Sequence, residues 1–279
     1  MTYQVYVSVQ LVVYNIKLNI GPGVFGSMLK TDRKFYSGTS GMVLPVPNKM
    51  GFPPEFQGKS RLSYYGYLFN SIEINSSFYK VPMASTVARW AGEVPEHFRF
   101  TFKMWRDITH VKGLTFKAED VYRFIQVINS VCDKKGCLLV QFPPGLKLET
   151  IYQVERLLLT IRKADPQHEW KLFLEFRKSH WYREEVHELL KTHSANMVLH
   201  DKTGSQTDFT EQDSDNVYLR FHGPGGNYRG SYTDDFLYEY SHYINDWLGE
   251  DKSVFVYFNN TMGDAVQNLM TLNRFVGEF

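Results

Sequence analysis

The chain has 279 residues, 16% of them aromatic, and sets 31 Lys and Arg against 30 Asp and Glu for a formal net charge of +1. That balance argues against a protein that tracks a phosphate backbone, which needs a strongly basic face, and no apolar run reaches the ~20 residues of a membrane-spanning helix. Cys132 and Cys137 are the two cysteines, neither a disulfide framework nor a four-ligand zinc site, so the expectation is reduced thiols in a cytoplasmic protein with neither nucleic acid nor membrane as partner.

Residues 1–34 stand apart from the rest. Tyr3 to Ile20 alternates like a strand before Gly21-Pro22-Gly23 interrupts it, and the segment reads as an N-terminal appendage dispensable to the fold. From residue 35 to 279 short β-type runs alternate with helical stretches. In chain order the candidate strands are Phe35 to Thr39, Ser71 to Asn75, Arg99 to Lys103, Cys137 to Phe142, Trp170 to Phe176, Asn196 to His200, Val217 to His222 and Val254 to Asn259. Apolar residues at three-to-four spacing predict helices that include Ala118 to Val131, Glu149 to Lys163, Tyr182 to Thr192 and Thr233 to Leu248. The Ser-, Thr-, Asp- and Gly-rich interval Lys202 to Asn216 reads as a loop after the sixth strand. Eight strands separated in this way predict an α/β fold, a TIM-type (β/α)8 barrel in one domain. An open doubly wound sheet is disfavoured because no Gly-rich nucleotide fingerprint follows the first strand.

Side chains two apart share a face of a strand, and here that period separates apolar from polar. Ile72 and Ile74 oppose Glu73 and Asn75, Phe100 and Phe102 oppose Thr101 and Lys103, and Leu174 and Phe176 oppose Glu175 and Arg177. Leu219 and Phe221 oppose Arg220 and His222, Val256 and Phe258 oppose Tyr257 and Asn259, and Gln141 and His200 fit the same scheme. With the apolar sets against the helices, the polar sets point into the barrel or its mouth, where TIM barrels carry their sites. Buried charge is costly without partners. One explanation is a paired network in which Lys103, Arg177 and Arg220 neutralise Glu73 and Glu175; the other, favoured because barrel interiors are normally filled with branched aliphatic residues, is a functional polar site.

Several blocks in this region resemble the YecE-like family, the domain of unknown function seventy-two. They are Tyr36-Ser37-Gly38-Thr39-Ser40-Gly41, Glu73-Ile74-Asn75-Ser76-Ser77-Phe78-Tyr79, Ile108-Thr109-His110, Leu139-Val140-Gln141-Phe142-Pro143-Pro144, Glu175-Phe176-Arg177 with Trp181, Arg220-Phe221-His222-Gly223 with Tyr228 to Tyr232, and Tyr257-Phe258-Asn259-Asn260. The resemblance runs in order from Phe35 to the C-terminus and implies a TIM barrel of no established reaction. It departs at Met42-Val43-Leu44-Pro45-Val46-Pro47, where many members carry an aromatic and a Trp-containing stretch, so the first loop is expected to shape a different wall.

Glu73 and Glu175 are the candidate catalytic pair, since cleavage of a glycosidic bond needs one protonated donor and one base or nucleophile. Tyr79, Trp105, Trp181 and Tyr228 offer stacking faces and Asn75, Gln141 and Asn259 offer hydroxyl-binding groups, while Lys103, His110, Arg177, His200, Arg220, His222 and Tyr257 complete the candidate binding set. This predicts a hydrolase acting on a small polar, carbohydrate-like molecule, a sugar or a phosphorylated ligand. Two alternatives stand beside it. Glu73, Glu175, His200, Asp201 and His222 offer ligands for a divalent-metal isomerase or phosphodiesterase, though no short metal motif supports this and no metal ligand is assigned; the glycine-bearing run from His222 to Arg229 invites a phosphate. The other alternative is a barrel that binds without turnover. No cofactor loop or nucleophile elbow is present, and the sequence names no cofactor.

Overall fold

The computed structural model describes residues 34–202 and 214–278. Most of the expected N-terminal appendage (1–33) and the middle of the expected loop (203–213) lie outside the described residues.

The strands are β1 (Phe35–Thr39), β2 (Ser71–Ile74), β3 (Arg99–Lys103), β4 (Lys135–Gln141), β5 (Lys171–Glu175), β6 (Ala195–Met197), β7 (Leu199–His200), β8 (Asn216–Phe221) and β9 (Ser253–Phe258). All observed pairings are parallel, in the orders β1-β9-β8-β7 and β2-β3-β4-β5-β6. β6 and β7 are two pieces of the expected sixth strand. The chain pairs with β5 up to Met197, the Val198 amide still donates to Leu174 O (2.9 Å), and the next two residues pair with β8. The strands thus follow one another around a TIM-type barrel in chain order.

The seam between β1 and β2 is held differently. One parallel bridge, Ser40 to Glu73, and a 2.7 Å bond from Gly41 N to Glu73 O are its backbone links. Side chains supply the rest: Ser37 N donates to Asn70 Oδ1 (2.9 Å), Asn70 Nδ2 donates to Phe35 O (2.7 Å), and Thr39 N donates to the Tyr65 hydroxyl (2.7 Å). Gly38 permits the approach, because a Cβ there would lie 2.0 Å from Ser71 O.

The jacket consists of α1 (Arg61–Leu68), the short α2 (Ser76–Tyr79), α3 (Ala84–Gly92), the short α4 (Arg106–Thr109), α5 (Ala118–Ile128), α6 (Ile151–Ala164), α7 (Glu184–Thr192), α8 (Asp234–Gly249) and α9 (Ala265–Gly277). Local chemistry sets several ends. Ser60 caps α1 by accepting from Ser63 N (3.0 Å), Thr233 caps α8 by accepting from Phe236 N, and acidic pairs open α5, α7 and α8 where the helix dipole favours them. None of these helices is long and apolar enough to cross a membrane.

Two apolar clusters follow from the strand period. The larger lies between strands and helices and takes Ile72, Phe100, Phe102, Leu138, Leu174, Leu219, Val256 and Phe258. The smaller fills the barrel's lower interior with Cys137, Leu139, Phe173, Val198, Tyr218, Phe255 and Tyr257, with Tyr36 packed against it. The inward face is therefore not polar along its whole length. It is aromatic and apolar at the bottom and charged only near the C-terminal ends of the strands.

Candidate functional site

On that aromatic floor Tyr218, Arg220 and His222 project inward from β8 and the residue following it. Arg220 is the centre of the charged layer. Its Nε donates to Glu73 Oε2 (3.0 Å), Nη2 to Glu73 Oε1 (2.8 Å) and Nη1 to Glu175 Oε2 (2.9 Å). Glu73 also accepts short hydrogen bonds from Ser40 Oγ and the Tyr218 hydroxyl, and Glu175 Oε1 faces Arg177 Nη2 at 2.6 Å. Both glutamates and Arg220 are at most 1% exposed. Burial favours the neutral acid at Glu73 and Glu175, but the charge of Arg220, joined at Glu175 by Arg177, overcomes it and holds both carboxyls below the usual carboxylate range. Burial opposes the charge on Arg220 as well, and the two carboxylates more than restore it.

The two buried histidines are kept neutral, chiefly by burial. His200 Nδ1 accepts from Lys202 N (3.2 Å), which places the proton on Nε2, 2.9 Å from the Tyr182 hydroxyl; its pKa falls to about 4. His222 Nε2 accepts from Arg220 Nη1 (3.1 Å), which places the proton on Nδ1, 3.4 Å from Asp201 Oδ1. Asp201 in turn accepts from His222 N (2.7 Å) and from the Tyr232 hydroxyl.

Lys103, at the end of β3, is the cation left outside these contacts. Its Nζ lies 4.2 Å from the centroid of the Phe78 ring and has no hydrogen-bond acceptor among the described residues. Burial, then Arg220 and Arg177, outweigh the pull of Glu175 and Glu73 and bring its pKa down to about 8. Beside it the His110 ring meets Phe78 edge-on at 4.9 Å, with Nδ1 2.8 Å from Thr109 Oγ1. Burial and the charges of Lys103, Arg106 and Arg177 lower His110 to about 4. Four buried polar atoms here make no hydrogen bond among the described residues: Glu175 Oε1 and His222 Nδ1, which still face Arg177 Nη2 and Asp201 Oδ1, and Arg177 Nη1 and Asn75 Oδ1, which face no such charge; the other end of the Asn75 amide donates to Ser40 Oγ (2.6 Å).

The same chain matches the family model described as "Protein of unknown function DUF72" over residues 36–278. The protein belongs to the DUF72 family. The chain is 25% identical over 248 residues to UPF0759 protein YunF of Bacillus subtilis, covering 78% of this chain and 86% of that protein. It is 29% identical over 86 residues to UPF0759 protein YecE of Escherichia coli K12, 31% of this chain and 32% of that one. Among solved structures it is similar to a DUF72 protein of Thermotoga maritima, with TM-score 0.69, 24% identity and coverage of 86% and 97% of the two chains. A DUF72 protein of Enterococcus faecalis gives TM-score 0.70 at 20% identity, with coverage of 87% and 95%. An AP endonuclease, family 2, from Brucella melitensis gives TM-score 0.50 at 12% identity, covering 81% and 93%, a likeness of fold alone.

In this DUF72 barrel the expected residues divide into three groups. Glu73, Glu175, Arg177, Arg220 and His222 meet in the contacts above, Asn75 joins them through Ser40, and Lys103 and His110 lie alongside. Three others sit elsewhere in the packing. Trp181 is 1% exposed, stacked on Phe176 at 4.4 Å and bonded to Leu146 O, so it is core and offers no stacking face. Tyr257 lies in the floor with its hydroxyl between Ser71 Oγ (2.6 Å) and Thr101 Oγ1 (2.7 Å). Gln141 turns its amide nitrogen onto Phe142 O and is 7% exposed. The rim holds Tyr79, 69% exposed, and Tyr228, which packs its ring on His222 at 5.7 Å with Lys202 Nζ over it. Asn259, at the end of β9, is buried, and Trp105 is half-buried beneath the Arg123 guanidinium.

The glycine-bearing loop does not present a row of amides to an anion. Gly226 N donates to Gly223 O, Tyr228 N to His222 O, Arg229 N to the Asn227 side chain and Gly223 N to the Tyr232 hydroxyl. Its glycines serve the turn: Gly223 has φ +93°, and a Cβ there would stand 2.2 Å from Arg229 O. The metal set fares similarly, because Glu73 and Glu175 are turned onto arginines. Among the described residues no three His, Cys, Asp or Glu side chains converge as a metal ion requires.

Four participants escaped the sequence reading of the site. Tyr218 shares the parity of Arg220 and His222 and was legible from the same alternation. Ser40 stands inside a quoted motif, one residue beyond the first strand. Phe78 also stands inside a quoted motif, while Tyr182 carries no signal of its own, since only the folded chain brings it to His200.

Proposed function

We propose that this DUF72 barrel binds a small anionic, hydroxyl-bearing molecule at its mouth, a sugar-like carboxylate or phosphate, through Lys103, Arg177 and Asn75. One observation carries the reading: Arg177 Nη1 is buried without an acceptor in the same charged cluster as Lys103, whose ammonium also has none among the described residues. Arg220 and Arg177 balance Glu175 and Glu73 in formal charge around Lys103, so the lysine's own charge is the one a ligand anion neutralises. The unpartnered Asn75 Oδ1 asks for a donor such as a hydroxyl beside that anion.

Hydrolysis by Glu73 and Glu175 as acid and base needs one carboxyl to keep a proton near neutral pH. Burial pushes them that way, and Arg220 and Arg177 outweigh it. The geometry therefore favours carboxylates that aim cations over carboxylates that exchange protons.

Titration calorimetry with inorganic phosphate and with a hexose phosphate tests the proposal. K103M and R177M should each weaken binding roughly tenfold to a hundredfold, the worth of a charged hydrogen bond. If neither anion binds, or if both variants bind as the parent does, the proposal fails.

A further inference from the structure

We propose that Lys103 captures a carbonyl group, its Nζ forming an imine with an aldehyde or ketone on the anionic ligand; the inference rests on the binding reading above.

The cations of the site fall into two kinds. Arg220 is tied to Glu73, Glu175 and His222, and Arg177 is tied to Glu175. A guanidinium cannot be deprotonated in a protein, so both are permanent charges. Lys103 carries the cluster's amine, and among the described residues it is the member no carboxylate holds: its Nζ rests on the Phe78 ring at the end of β3, where TIM barrels place reacting groups. A lysine serving charge alone gains from a carboxylate partner. One that attacks carbon needs its lone pair uncommitted, in surroundings that disfavour the ammonium. Burial beside Arg220 and Arg177 supplies those surroundings, and a pKa of about 8 keeps a share of the amine neutral near pH 7. The buried Arg177 Nη1 is placed to receive the carboxylate or phosphate of the same molecule.

The step balances without a further reactant. The neutral amine attacks the carbonyl carbon, an N–C bond forms, and the carbonyl π pair moves to oxygen. In the resulting carbinolamine the C–O bond breaks as the nitrogen lone pair forms C=N. The two protons of the amine leave with that oxygen as water, passed between nitrogen and oxygen through solvent or the neutral imidazole of His110.

The experiment is reductive trapping on the full-length protein. Pyruvate and glyceraldehyde 3-phosphate are added separately, followed by sodium borohydride, and the adduct is located by peptide mass spectrometry. Phosphate binding by calorimetry and thermal unfolding are recorded in parallel for the parent and for K103R, which keeps the charge but cannot form an imine. The expected result is one reduced adduct on the peptide containing Lys103, lost in K103R, with K103R unfolding at the parent's temperature. Phosphate binding with no adduct on Lys103 from either carbonyl compound overturns the imine and leaves the anion site standing. Absence of both adduct and phosphate binding overturns both. Should K103R unfold, K103M serves as the second variant, its fold checked by thermal unfolding, and an unchanged adduct pattern in it also overturns the proposal.

Discussion

Arg220 commits Nε, Nη1 and Nη2 to buried partners, and every one of those bonds ends on a carboxylate, a histidine nitrogen or Ser40. Removing one carboxylate therefore leaves a buried guanidinium half-paired, which in comparable settings costs about 3–5 kcal/mol. E73Q and E175Q should each lower unfolding stability by that order in urea titrations, and near-parental stability in both would show that the array is not structural. Period-two alternation made the charged members legible, because no other arrangement of Ile72, Glu73 and Ile74 buries the isoleucines against the helices. The roles were less legible. Two carboxylates in a barrel mouth suggest an acid and a base until the arginine between them is seen, and sequence does not give the distance from Arg220 to either. Trp181 next to a polar motif looks like a platform, and Tyr257 shares the polar face of its strand, whereas each ring has a core position and a hydrogen-bond partner.

Among the elements, β1 has a conventional neighbour in β9 and an unconventional one in β2. The Asn70 side chain takes the place of a strand there by serving both Ser37 N and Phe35 O. N70A should orphan those two backbone groups, at roughly 1–3 kcal/mol for each that stays dry. G38A should force the strands apart, with an overpacking cost of about 1–3 kcal/mol or more. For both variants the readout is a lowered urea midpoint at unchanged m-value, together with faster amide exchange at Ser37, Thr39 and Gly41; protection equal to the parent's would show that the seam is held by something else. Strand positions were read to within a residue or two because each is short and bounded by turns. The break at Val198 was not, since Met197-Val198-Leu199 is uniformly apolar and the interruption arises from leaving β5 to reach β8. Helix α7 begins at Glu184, two residues after the expected Tyr182, because Arg183 at its N-cap is extended (φ −149°, ψ 157°).

For the whole molecule, the buried charges predict how stability follows pH. Glu73 and Glu175 have depressed pKa values in the fold, so their contribution is present above the unfolded value of ~4.3 and is lost as pH falls through their folded values. His200 is lowered from 6.5 to about 4; between those limits the unfolded chain takes up a proton that the native protein does not, and stability falls with pH, by about 3 kcal/mol across the window. Lys103 is lowered from 10.5 to about 8, so between those values the unfolded state again holds more protons, and its part of the stability rises with pH. Urea unfolding at stepped pH should show loss setting in below about pH 6.5. In K103M the rise between pH 8 and 10 should be flatter, and an identical rise would assign it to another group. The barrel itself was legible from end to end because one pattern recurs in eight places, and a repeated pattern constrains a fold more tightly than any single strand does.

The bridge that closes the barrel between Ser40 and Glu73 is made by two residues that also touch Arg220. The seam and the charged array thus share residues, so a change at Ser40 or Glu73 disturbs both at once. Tyr79, exposed on the rim, makes none of these contacts, so a substitution there leaves the cylinder fastened, whereas the first loop is tied to the core through Val43, Leu44 and Val46.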